Sequence, residues 1–131
     1  MKTTQTVILA ALLAIGLGCG YSKPKNVTPP SPGAKPTITT LNPASQAAGS
    51  AAFQLEIDGS DFAGNSSVSF NGATMTPSSA VASKILVMIP ATAIMNSGTV
   101  PVTVTNPGIP GGIYGGGTSA ETSAPMNFTI N

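Results

Sequence analysis

Four carboxylates are the whole acidic inventory of this 131-residue chain, and three of them crowd together. Glu56, Asp58 and Asp61 fall within six residues, with Asn65 close behind and Glu121 far away. Two chemistries use such a cluster. A calcium ion takes roughly six to eight oxygen ligands, and Asp58, Asp61 and Asn65 with nearby carbonyls supply part of such a set, though not at EF-hand spacing. A carboxylate pair also cleaves glycosidic bonds, provided that one has a raised pKa in a cleft that positions the sugar. The chain has no His and no Trp, and its five basic residues are all Lys, so little is left to build that cleft. The plain alternative is a solvated acidic rim. Without imidazole, and with one Cys in all, zinc and copper sites and His-based acid–base chemistry are excluded. No cofactor, no metal and no catalysis are expected.

The single thiol, Cys19, has a different chemistry. Lys2 gives a charged start, Val7 to Leu17 is an unbroken apolar run of eleven residues, and Gly16-Leu17-Gly18 offers small residues for processing. A bilayer-spanning helix needs about 20 apolar residues, so the run reads as an export signal. A bacterial lipoprotein signal ends in a Cys that is acylated and becomes the first residue of the mature protein. Leu17 stands one place later than such signals usually have it, and Gly16 and Gly18 also suit ordinary cleavage, which would leave a periplasmic or secreted protein with a free thiol. Gly20 after the Cys, where Asp would retain the protein, points to an outer-membrane lipoprotein of the cell envelope.

Charge divides the rest of the chain. Gly20 to Lys35 carries Lys23, Lys25 and Lys35 and no acid, whereas from Pro36 onward Lys84 alone faces four acids. An acidic domain without Arg has no footprint for nucleic acid. Pro24, Pro29, Pro30 and Pro32 make Gly20 to Lys35 an extended tether, spanning on the order of 50 Å at most. Its lysines either strengthen contact with anionic lipid or simply keep a linker soluble.

From Pro36 the side chains switch to period two. Phe53, Leu55 and Ile57 alternate with Gln54, Glu56 and Asp58; Val100, Val102 and Val104 with Pro101, Thr103 and Thr105; Met126, Phe128 and Ile130 close the series. Thr37 to Leu41 and Val68 to Phe70 add short strands, the second ending at the Asn71-Gly72 turn signal. Ile85 to Ile89 is apolar at every position, so that Leu86 and Met88 point outward if Ile85, Val87 and Ile89 point inward. Apart from one turn at Ala91 to Met95, helical periodicity is absent. The pattern predicts an all-β, immunoglobulin-like β-sandwich.

Ordered motifs carry a resemblance. Pro36-Thr37-Ile38-Thr39-Thr40-Leu41-Asn42-Pro43, Gly59-Ser60-Asp61-Phe62, Val68-Ser69-Phe70-Asn71-Gly72, Ile89-Pro90, Val102-Thr103-Val104-Thr105-Asn106-Pro107 and Asn127-Phe128-Thr129-Ile130 follow one another as they do in IPT/TIG domains. The chain from Pro36 to Asn131 resembles that immunoglobulin-like family, found in plexins, some transcription factors and many bacterial surface proteins. The resemblance implies binding or spacing, with no shared catalytic residues. It also exposes a departure: Pro107 to Pro125 is longer than the short Gly-rich loop usual between the last two strands. Ile113 and Tyr114, flanked by glycines there, are candidates to contact a protein or stack on a sugar; the alternative is that Tyr114 packs back on the sandwich. Leu86 and Met88 are candidates for an apolar contact if they join a larger patch.

Residues 1–18 thus read as signal peptide, 19–35 as lipidated Cys and tether, and 36–131 as an IPT/TIG-like sandwich. The function implied is a non-catalytic surface binding or adhesion module whose partner is a protein or glycan. Alternatives are a carbohydrate-binding accessory module for surface polysaccharide processing and an envelope structural protein. Intact mass spectrometry of the mature protein should show a chain beginning at an acylated Cys19; an unmodified thiol at that position would refute the anchor.

Overall fold

A computed structural model describes residues 31–113 and 115–131. The signal segment, Cys19, the tether as far as Pro30, and Tyr114 lie outside the described residues. Two sheets pack face to face. The first comprises β2 (Thr37–Asn42), β4 (Phe53–Ser60), β8 (Lys84–Ile89) and β7 (Ser79–Val81), all antiparallel in the order β2-β4-β8-β7. The second runs β3-β12-β9-β5-β6, formed by β3 (Ser45–Gln46), β12 (Met126–Ile130), β9 (Gly98–Asn106), β5 (Ser67–Phe70) and β6 (Ala73–Met75). A short β11 (Glu121–Thr122) also pairs with β9. This is the strand order of an immunoglobulin sandwich. The chain leaves the first sheet at a cis Asn42–Pro43 bond and β3 joins the other sheet, parallel to β12.

The alternation read from the sequence is what packs the sheets. Leu55, Ile57, Ile85, Val87 and Ile89 from one sheet, and Val68, Phe70, Val102, Val104 and Phe128 from the other, are fully buried. Phe128 joins them. Its ring stacks on Phe53 of the opposite sheet at 5.7 Å and meets Phe70 of its own sheet edge-on at 5.4 Å. Such pairs are worth about 1 kcal/mol each beyond the area they bury. Asn71-Gly72 forms the two-residue turn between β5 and β6, with φ of 51° and 81°, the geometry that Asn-Gly favours because strand twist demands positive φ at both positions. Ala91–Ile94 is a 3-10 turn that buries Ile94.

Gly59 and Phe62 explain their shared motif. A Cβ at Gly59 would run into the Thr37 carbonyl oxygen and the Phe62 ring, so only glycine lets that ring close the end of the core. The backbone there is tied to the β7–β8 turn, with Gly59 N–H donating to Ser83 O at 3.0 Å and Phe62 N–H to Ala82 O at 3.1 Å.

Besides β1 (Ser31–Pro32) and β10 (Thr118–Ser119), four short strands are not legible in the sequence: β3, β6, β7 and β11 have two or three residues each and no apolar period. The segment read as tether also reaches further into the fold than expected. Ser31–Pro32 forms β1 and pairs in parallel with β10 (Thr118–Ser119). The long loop ends earlier than Pro125, because β11 returns the chain to β9 at Glu121.

Gly59→Ala should lower stability by about 2 kcal/mol or more, by overpacking a site bounded by backbone. Its exposed neighbour Ser60→Ala should change it by no more than about 0.5 kcal/mol in the same urea titration.

Candidate functional site

The alternation of β9 carries Val100, Val102 and Val104 into the core and then places Asn106 on the same side, only 6% exposed, at the end of the sandwich. A buried amide there must find partners for both its halves. The Ala63 N–H donates to Asn106 Oδ1 at 3.0 Å, and Asn106 Nδ2 donates to the carbonyls of Ala34 at 2.9 Å and Asp61 at 2.6 Å. Those neighbours, one pure donor and two pure acceptors, fix which way the amide faces. The Ser66 hydroxyl lies 2.6 Å from Asn106 Oδ1 and 2.7 Å from Ala63 O, and its one proton serves either. One side chain thereby fastens the incoming chain, the β4–β5 loop and the end of β9. Sequence reading had Asn106 only as part of a motif; its parity with three inward valines was the available signal.

Above this anchor rises the long loop. Ile109 and Thr118 exchange two backbone hydrogen bonds of 2.9 Å each, and Gly115 N–H donates to Gly112 O at 2.9 Å, closing a two-residue tip. Pro107 to Ala120 is therefore a hairpin. Glycine is obligatory where its arms touch, since a Cβ on Gly111 would strike the Gly116 carbonyl. Ile113 at the tip is 82% exposed and Ile109 on the arm 64%. No charged residue occurs from Pro107 to Ala120. β10, on the returning arm, is braced by β1. At the hairpin base a shallow groove of about 400 Å³ runs between Ala34, Phe62, Ala82, Pro107 and Ile109.

Of the other candidates, Glu56, Asp58, Leu86 and Met88 do not join this end. Asp58 lies on the outer face of β4, where Lys84 Nζ is 2.8 Å from Glu56 Oε1 and 3.5 Å from Asp58 Oδ1. The Glu56 hydrogen bond, with lesser help from Asp58, raises the Lys84 pKa above lysine's ordinary 10.5 against a smaller opposing effect of desolvation. A raised lysine pKa stabilises the fold at every pH below that value, and the contribution disappears only as pH climbs through the raised value. Asp61, with a φ of 60°, and Asn65 are exposed in the β4–β5 loop, and it is the backbone carbonyl of Asp61 that is engaged. Among the described residues no group of three or more His, Cys, Asp or Glu could hold a metal ion.

Leu86 and Met88 do point outward from β8, opposite Glu56 and Gln54 respectively. Leu86 is half-buried and Met88 is 55% exposed, so polar cross-strand partners interrupt any patch. A second cavity, about 330 Å³ at the far end, is lined by Asn71, Thr92, Met95, Asn96 and Ser97 and by no titratable group.

The family model of the IPT/TIG domain matches residues 36–130. No curated protein and no solved structure matches the chain.

Replacing Asn106 tests the anchor. Asn106→Ala strands the Ala63 N–H and two carbonyls and should cost about 3 kcal/mol, read by denaturant unfolding. Asn106→Asp, which sets oxygen against the Ala34 and Asp61 carbonyls, should be no better than Ala.

Proposed function

The chain belongs to the IPT/TIG family, a class of non-catalytic immunoglobulin-like modules often involved in binding or adhesion, and from that premise we propose that it is a binding module of the cell envelope. In this reading residues 1–18 direct export, acylated Cys19 holds the mature chain on the outer membrane, and the hairpin Pro107–Ala120 makes the contact. The apolar run before Cys19 supports the first two statements.

One observation carries the third: an uncharged hairpin with Ile113 82% exposed stands on a fastened base. Water-exposed isoleucine is unfavourable to display, and its burial against a partner recovers roughly 1.5–3 kcal/mol. Because Ile109–Thr118 pairing, the β1 brace and Asn106 already order the loop, little conformational entropy remains to be lost on contact. Among the described residues nothing at this end resembles acid–base machinery: Asp61 is open to water, and Glu56 and Asp58, on the outer face of β4, lie beside Lys84.

A photo-crosslinking residue placed at position 113, 88 or 95 of the lipidated protein, irradiated in its own envelope, tests this assignment. Position 113 should give the dominant adduct and Ile109→Ser should weaken it. Adducts from 88 alone would move the contact to the sheet face, and none at any position would refute a binding role.

A further inference from the structure

We infer that the hairpin's partner is a lipid surface: the tip inserts into the interface of the membrane that holds the chain. The inference rests on the reading of the hairpin as the contact element and names what it contacts.

The direction of the chain is the first argument. β1 and β10 run parallel, with Ser31 opposite Thr118 and Pro32 opposite Ser119. Going backward from Thr118 leads to Gly117 and on toward the tip, so going backward from Ser31 leads the same way. The upstream end of β1 therefore faces the side of the hairpin. An anchor upstream of Ser31 pulls that end toward the bilayer, and the opposite end, with Met95, away from it.

Composition is the second. Fourteen consecutive residues, Pro107 to Ala120, carry no charge, while two isoleucines stand exposed among glycines. Entering an interface costs most for charge, and this hairpin brings none. Lys35, exposed beside the base, sits where anionic headgroups would meet it, and Lys23 and Lys25 precede it in the sequence. Two acids oppose deeper entry. Asp61 and Glu121 both stand at the hairpin base, the first bound through its carbonyl to Asn106 and the second paired with it across β11 and β9. From the Ile109–Thr118 pair to the Gly112–Gly115 pair the arm is three residues, about 10 Å if extended. That matches the roughly 5–10 Å to which interfacial elements bury apolar side chains, and leaves the acids in water.

The chain contains no tryptophan, so Ile113→Trp and Met95→Trp each create a unique fluorophore at opposite ends. Each full-length lipidated variant is reconstituted in vesicles of phosphatidylethanolamine and phosphatidylglycerol, with or without brominated acyl chains. Tryptophan at 113 should shift to the blue and be quenched by bromine, and at 95 remain as in water. In unlipidated Cys19→Ser chains, Ile109→Ser with Ile113→Ser should weaken vesicle partitioning at least about tenfold without lowering the melting temperature. Equal, water-like emission at both positions overturns the lipid inference. If position 113 then still cross-links to an envelope protein or glycan, the hairpin remains the contact element; if it does not, both readings fall.

Discussion

A single buried amide organises the hairpin end of this molecule. Asn106 sits where the core stops, and its amide ties the incoming chain and the β4–β5 loop to the end of β9. Burial makes that arrangement unforgiving, since each polar group there has given up water and a mispaired one costs about 1–3 kcal/mol. The β4–β5 loop, the incoming chain and the root of the hairpin thus share one side chain as a common tie. The described residues leave no buried side-chain nitrogen or oxygen without a partner.

The rest of the sandwich is held by apolar packing alone. With one cysteine there is no disulfide within the chain, and the ion pairing centred on Lys84 lies on an outer face where water screens it. All four phenylalanines serve the core: Phe53, Phe70 and Phe128 link the sheets, and Phe62 plugs the end over Gly59. A scaffold of this kind tolerates a long excursion between β9 and β12 because the cost of closing a loop grows slowly with its length. Here much of that cost is offset locally, by hairpin pairing and by β1 lying against the returning arm. The same brace sets the incoming chain at Ser31–Pro32 parallel to the returning arm of the hairpin.

Strands with a side-chain period were legible in advance; strands defined only by a neighbour were not. Phe53 to Asp58 and Val100 to Val104 declare which residues face inward, because burial of one face imposes alternation. Ser31–Pro32, Thr118–Ser119 and Glu121–Thr122 have no period to declare, and their pairing comes from where the long loop folds back. The acidic cluster shows the converse limit. Glu56, Asp58, Asp61 and Asn65 are near in sequence, yet strand geometry gives the first two to Lys84 and the turn after Gly59 carries the others off.

The sequence by itself determined the all-β class, the family, the inward faces of the main strands, the outward Leu86 and Met88, and the absence of imidazole chemistry, since composition and alternation are local properties of the chain. Only the tertiary structure decided that Asn106 is the clasp, that the loop is an ordered hairpin with Ile113 at its tip, and that Ser31–Pro32 lies along its returning arm. Those facts depend on backbone groups far apart in sequence finding one another. No local pattern encodes such meetings, because the hydrogen bonds that make them are formed by peptide groups every residue shares.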